Sequence, residues 1–320
     1  MVLDCFNPTR YSKMTYFTKT ALSEQQLVIW SNAPSSTKIQ FTHEQVRKAI
    51  EKSVALQGRD FEIYLQGSYA NSTNIRLDSD VDIVVQLNSS FNHDLSRLPS
   101  EQQQIFHQTY SGATYYWTDF RQDVINALNA YFGASAVTLG NKSIKIKGNE
   151  YRVTADVVPC IEFRQYQSFN TWKHDDFIKG MKFWTVNEMP NKEIINFPKM
   201  HIQNGEDKNA NYRTGTMYKK LIRVVKNIKR QLVDQNYLDP KIAPSYFLEC
   251  IIYNVPDSYF RLDFKSSLGN ALDFIIRRCQ PATLLTVSHQ HLLFGDKPWQ
   301  WNTPNAATFF QMIENNYTLS

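Results

Sequence analysis

Gln66-Gly67-Ser68-Tyr69-Ala70-Asn71-Ser72-Thr73-Asn74-Ile75-Arg76-Leu77-Asp78-Ser79-Asp80-Val81-Asp82-Ile83-Val84-Val85 sets a Gly-Ser turn ahead of two aspartates on one strand. Successive strand side chains point to opposite faces, so Asp80 and Asp82 project together while Val81 and Ile83 point the other way. Two carboxylates so placed can share a divalent cation. The turn offers backbone N–H groups and the Ser68 hydroxyl where a residue without a side chain lets a phosphate come close. The combination implies metal-assisted chemistry on a nucleoside triphosphate.

Working outward, residues 61–65 alternate as the strand that delivers the turn, and 81–87 form the strand bearing the aspartates. Upstream, a helix over 22–30 ends at Asn32-Ala33-Pro34, and Thr42 with Gln45 three residues on is the expected N-cap of a helix over 43–56. Downstream, the polar stretch 88–113 reads as a long surface excursion. Thr118-Asp119-Phe120 opens a helix through Val124, Leu128 and Tyr131 that stops at Gly133. Segments 136–139, 143–147 and 151–163, with a tight turn at Gly148-Asn149, follow an antiparallel hairpin pattern.

The last of these segments holds a third carboxylate. Asp156 is flanked by Ala155 and Val157-Val158-Pro159, where an isolated charge is costly to bury. If its strand lies beside that of Asp80 and Asp82, three carboxylates converge and a pair of Mg²⁺ ions supplies the compensating charge. The competing reading pairs Asp156 with Arg152 or another cation and leaves Asp80 and Asp82 on a solvated face.

From about residue 165 the periodicity changes. A polar, aromatic-rich connector with Pro190 and Pro198 leads to a helix over 217–232 with the apolar stripe Met217, Leu221, Val224, Val225, Ile228 and Leu232. Further helices are expected over 244–253, 257–278 and 306–315. The pattern divides the 320 residues into a mixed α/β domain, 1–165, and a helical lobe, 166–320.

Composition bounds the function classes. A hydrophobic share of 42% and a charged share of 20% are those of a globular chain. There is no apolar run of about 18 residues and the N-terminus is too polar for a signal peptide, so a soluble, cytoplasmic protein without membrane association is expected. Cys5, Cys160, Cys250 and Cys279 are widely separated, which speaks against zinc and for free thiols. The net charge of +5 is too small for the broad cationic footprint of a nucleic-acid sensor.

Gly67-Ser68, eleven intervening residues and Asp80-Val81-Asp82 resemble the signature of the polymerase-β-like nucleotidyltransferases. The fuller Gly67-Ser68-x-x-Asn71-x-Thr73, ending in Ser79-Asp80-Val81-Asp82, and the later Ala155-Asp156-Val157-Val158-Pro159 resemble the branch holding bacterial cGAS/DncV-like nucleotidyltransferases, cyclic GMP-AMP synthase and oligoadenylate synthase. The resemblance implies an α+β fold: a palm of mixed sheet and flanking helices, a C-terminal helical lobe, and an active site in the cleft between them. It implies that Asp80, Asp82 and Asp156 ligate two Mg²⁺ ions, with Mn²⁺ a possible substitute. Asp156 would also orient or deprotonate the acceptor hydroxyl, and Gly67 and Ser68 would hold the β- and γ-phosphates. The implied activity is synthesis of a cyclic di- or trinucleotide, or a short oligonucleotide, from nucleoside triphosphates such as ATP and GTP, with release of pyrophosphate. In this family the product signals to a separate effector in antiphage defence. A monomer needing no nucleic-acid activator is expected. The alternative is transfer onto RNA or protein by a terminal transferase or a toxin.

Between Asn211 and Arg230 stand seven basic residues, Arg213, Lys219, Lys220, Arg223, Lys226, Lys229 and Arg230, and no acidic one. A helix of one sign implies at least one cation facing the triphosphate. The resemblance points to Lys226, with Lys219 or Lys220 as substitutes in another register, and to Ser245 at the start of the next helix, where it could equally serve as an N-cap. Arg76 and Tyr69 are weaker candidates for phosphate and base contacts.

Overall fold

The computed structural model describes residues 19–34, 37–76, 80–170, 176–297 and 299–319; Cys5 and Ser79 lie outside them. In chain order come β1 (Thr20–Ala21), α1 (Glu24–Ser31), α2 (Thr37–Glu51), β2 (Phe61–Gln66), α3 (Gly67–Ala70), β3 (Val81–Asp94), α4 (Ser100–Thr109) and α5 (Trp117–Phe132). They are followed by β4 (Val137–Leu139), β5 (Ile144–Ile146), β6 (Ala155–Ser168), β7 (Asp176–Trp184), β8 (Glu193–Asn196), α6 (Pro198–Asn209) and α7 (Asn211–Thr214). Last come α8 (Met217–Asp234), α9 (Ser245–Tyr253), α10 (Phe264–Asp273), α11 (Thr303–Asn316) and β9 (Tyr317–Thr318). The mixed sheet with a helical C-terminal part is the α+β architecture expected from the sequence.

Two compact units result. One comprises Ser35–Ala70 and Leu77–Lys199, the other Met1–Pro34, Asn71–Arg76 and Met200–Ser320. The expected boundary at residue 165 falls inside β6, and the sheet unit runs on to Lys199.

The sheet unit is built on seven strands in the order β2-β3-β6-β5-β4, with β7 pairing β6 and β8 pairing β7. Only β3 and β6 run parallel; the other pairs in this sheet are antiparallel. Val81, Ile83, Val85 and Leu87 of β3 and Ala155 and Val157 of β6 are buried with Val46 and Ile50 of α2 and Phe120, Val124 and Leu128 of α5. Alternation therefore turns Asp82 and Asp156 to the face away from this core.

Four expectations are corrected here. Thr42 is not a cap: α2 begins at Thr37, and the buried Thr42 hydroxyl donates to the Lys38 carbonyl one turn back and accepts from the Val153 N–H. The stretch 88–113 is not a loop excursion, because β3 continues to Asp94 on the β6 ladder and α4 follows, packing Phe106 against Tyr166 and Phe169. The connector after residue 165 is β7 and β8, and the helix expected over 257–278 is a short turn, α10 and a final wide turn at Phe274–Arg278.

In the helical unit, α8 carries its whole predicted stripe inside: Met217, Leu221, Val224, Val225, Ile228 and Leu232 are buried with Leu248 and Ile251 of α9 and Phe309 and Ile313 of α11. At roughly 1.5–3 kcal/mol for each large apolar side chain removed from water, burial of this stripe stabilises the helix in place. Lys219, Arg223 and Lys226 are buried as well, so α8 is enclosed on more than its apolar side. Among the described residues no helix is long and apolar enough to cross a membrane.

Candidate active site

β2 ends at Gln66, and Gly67 turns the chain with φ +70° into α3. That left-handed conformation disfavours a side chain, and a Cβ on Gly67 would collide with the Asp82 carboxylate. The glycine is thus required twice, by its backbone and by its neighbour. Gly67→Ala is expected to cut activity at least about 100-fold by displacing Asp82, since misplacing a reacting group by about 1 Å can cost that much. Circular dichroism should meanwhile report a folded protein.

Strand register lines up the chemistry. Gln66 pairs with Asp82 across β2 and β3, Asp82 with Asp156 across β3 and β6, and Asp156 with Lys145 across β6 and β5. Paired residues in adjacent strands point to the same face, so one row runs Gln66, Asp82, Asp156, Lys145. Burial, then the neighbouring Asp156 and Asp80 carboxylates, push the Asp82 carboxyl up to about 6. Lys145 Nζ donates to Asp80 Oδ2 at 2.7 Å and stands 3.9 Å from Asp156 Oδ2. The Ser143 hydroxyl donates to Asp156 Oδ1 at 3.0 Å. The hydrogen bond to Asp80, followed by the charge of Asp156, raises the Lys145 ammonium above its usual value.

Arg152 does not serve Asp156. Its Nε donates to the Lys147 carbonyl, and its guanidinium lies over the Phe132 ring.

The donor set is all oxygen and anionic, which suits Mg²⁺ or Mn²⁺ and offers nothing to a soft metal. Burial and the two neighbouring carboxylates together disfavour the Asp82 charge. Among the described residues, no group of three acidic, His or Cys side chains closes around a point as it stands. Asp80 is instead turned to Lys145.

The helical unit places the remaining candidates. Lys226 and Glu249 are each 4% exposed, and Lys226 Nζ lies 2.5 Å from Glu249 Oε1 while also donating to the Thr73 carbonyl and hydroxyl. The same carboxylate accepts from Thr73 Oγ1 at 2.7 Å and Asn71 Nδ2 at 3.2 Å, and meets His201 Nε2. The second half of the Gly-Ser-x-x-Asn-x-Thr motif is thus held by a buried ion pair. Lys219 pairs with Glu206, and Arg223 donates to the Ser31 and Ser72 carbonyls. Ser245 is exposed at the start of α9 and is not its cap, a place taken by Pro244. Tyr69 packs on the sheet core.

Lys145, Ser143, Glu249 and His201 went unread in the sequence. A signal existed for Glu249, a lone acid in the apolar run Leu248-Glu249-Cys250-Ile251-Ile252. Lys145 gave none without the strand register.

Comparison with known proteins fits this geometry. Residues 44–179 match the nucleotidyltransferase domain, and residues 203–318 match the cGAS/DncV-like nucleotidyltransferase C-terminal helical domain. The cyclic nucleotide synthase CdnE01 of Staphylococcus haemolyticus is 40% identical over 89% of this chain and 95% of its own.

The chain belongs to the cGAS/DncV-like nucleotidyltransferases.

A second relative of this nucleotidyltransferase, the cyclic UMP-AMP synthase of Rhodothermus marinus, is 40% identical over 92% of this chain and 97% of its own. The solved structure of Rhodothermus marinus CdnE with Apcpp and Upnpp superposes with a TM-score of 0.82 at 39% identity, covering 92% of this chain and 96% of that one. The Elizabethkingia meningoseptica CdnE cyclic dinucleotide synthase, solved with GTP and Apcpp, gives 0.71 at 30% identity over 92% of this chain and 98% of that one. The enzyme is a nucleotidyltransferase of the cyclic nucleotide synthase kind, and the terminal-transferase or toxin alternative is not favoured.

Proposed function

We propose that this enzyme joins two or three nucleoside triphosphates into a cyclic di- or trinucleotide, and that Asp80, Asp82 and Asp156 are its catalytic and metal-holding residues. The observation that carries the assignment is the register pairing Asp82 with Asp156, on the face bordered by the side-chain-free turn at Gly67. Two Mg²⁺ ions, or Mn²⁺ in their place, would be held by the three carboxylates and, when bound, would acidify the attacking hydroxyl and offset charge on the triphosphate. Asp156 orients the acceptor 2′- or 3′-hydroxyl and accepts its proton. Gly67 and Ser68 hold the β- and γ-phosphates through backbone N–H groups and the Ser68 hydroxyl. The bond to the α-phosphorus forms as pyrophosphate leaves, and ring closure repeats the step on the linear product.

Lys226 and Ser245 complete the reading as nucleotide-binding residues. Phosphate would meet a Lys226 ammonium already fixed by Glu249, so its loss is structural as well as catalytic. The product acts on a separate effector in antiphage signalling. The enzyme works in the cytoplasm as a monomer without a nucleic-acid activator.

Incubation with four α-labelled ribonucleotides and Mg²⁺, followed by phosphatase, is expected to leave label in a small resistant nucleotide. Label carried instead on RNA or protein would overturn the assignment in favour of macromolecular transfer.

A further inference from the structure

Lys145 is the cation closest to the candidate carboxylates within the row across the sheet, and no part of the reaction outlined above uses it. It sits mid-strand in β5, Cα-paired with Asp156, so the strand register itself delivers its side chain to that face. Its ammonium binds Asp80 at 2.7 Å and reaches Asp156 at 3.9 Å, bridging two of the three carboxylates. Lys145 and Asp80 are 47% and 41% exposed, so the contact can exchange with a ligand arriving from solvent. Asp80 is thus engaged by Lys145, and Asp156 by the Ser143 hydroxyl.

From this geometry we infer that Lys145 is an exchangeable internal counter-ion, which balances the carboxylates before metal arrives and competes with the first divalent cation for Asp80. The inference rests on the reading of Asp80, Asp82 and Asp156 as metal ligands. A site so built takes up a bare divalent ion weakly and gains affinity once the anionic phosphates of a nucleotide offer the ammonium another partner. Lys145 is a positioning residue in this scheme: it acts on the reaction through Asp80.

The test is Mn²⁺ binding to the full chain without nucleotide, followed by electron paramagnetic resonance of the free ion. Removing one positive charge beside a doubly charged ion is worth on the order of fivefold to tenfold even in a water-like dielectric. Lys145→Met is therefore expected to tighten Mn²⁺ binding by about that factor, Lys145→Arg to stay near wild type, and Lys147→Met, just beyond the end of β5, to change nothing. Binding lost in the Asp80→Asn, Asp82→Asn double variant, yet within twofold of wild type in Lys145→Met, overturns the competition alone. Binding that survives the double variant overturns the metal-site reading and the competition with it.

Discussion

Asp82→Asn is expected to lower pyrophosphate release on the order of 1,000-fold or more, and at the same time to raise the melting temperature of the metal-free protein. The first effect follows from the loss of a metal-holding carboxylate, the second from burial of the Asp82 charge and, after it, from the neighbouring Asp156 and Asp80 carboxylates. The Asp82 carboxyl is pushed up from 3.8 to about 6, and each unit is worth about 1.4 kcal/mol, so its ionisation costs the folded state about 3 kcal/mol at neutral pH. Asparagine keeps the shape and removes the charge. The sign follows from linkage: a carboxyl raised on folding binds protons more readily in the native state. Its penalty is absent below pH 3.8, grows as pH rises toward 6, and is complete above that. In EDTA, wild type should gain stability from this group between pH 7 and pH 5, and Asp82→Asn should not. Melting curves at the two pH values, with and without Mg²⁺, check it. A variant that is inactive but less stable than wild type at pH 7 would contradict this account of the buried Asp82 charge.

The second large effect is on stability. Lys226→Met leaves Glu249 buried without its ammonium, and breaking such a pair by removing one partner costs about 3–5 kcal/mol. Burial alone would raise the Glu249 carboxyl, but Lys226 and then His201 outweigh it and hold the group well below the usual carboxylate range. The stabilisation is thus fully present above the ordinary value of 4.5 and is lost as pH falls through the lowered one. Calorimetry should show a large fall in melting temperature for Lys226→Met near neutrality and a smaller difference from wild type in acid. Glu249→Gln, whose single amide oxygen cannot accept from both Asn71 and Thr73 and which removes the counter-charge of Lys226, should also destabilise. A Lys226→Met protein that melts with wild type would mean that Glu249 is neutral or hydrated.

What could be read from the sequence was whatever depends on local pattern. The Gly67-Ser68 turn, the Asp80/Asp82 pair and the α8 stripe declare themselves through spacing, and an apolar setting marks Asp156 as a charge in need of company. What could not be read depends on which strands become neighbours. Lys145 alternates with Ile144 and Ile146 like any lysine on a solvated strand face, and only its register opposite Asp156 brings it to the candidate carboxylates. The stretch after Leu87 looked like loop because its polar residues mask a ladder that β3 continues with β6, beside a separate apolar cluster of Phe91, Phe106, Tyr166 and Phe169. Thr42 looked like a cap because a buried hydroxyl serving Val153 has the same local sequence as one that starts a helix. The one-signed charge on α8 did not show which acidic partners its cations have, because Lys219 and Lys226 meet Glu206 and Glu249 from other helices.

The central claim is that these three aspartates perform nucleotidyl transfer. Pyrophosphate release from a mixture of ribonucleotides and Mg²⁺, compared between wild type and the Asp80→Asn, Asp82→Asn, Asp156→Asn triple variant, tests it most directly. The account predicts one pyrophosphate per phosphodiester formed by wild type and none above background from a folded triple variant. Pyrophosphate and phosphodiester production at a wild-type rate by that variant would contradict it.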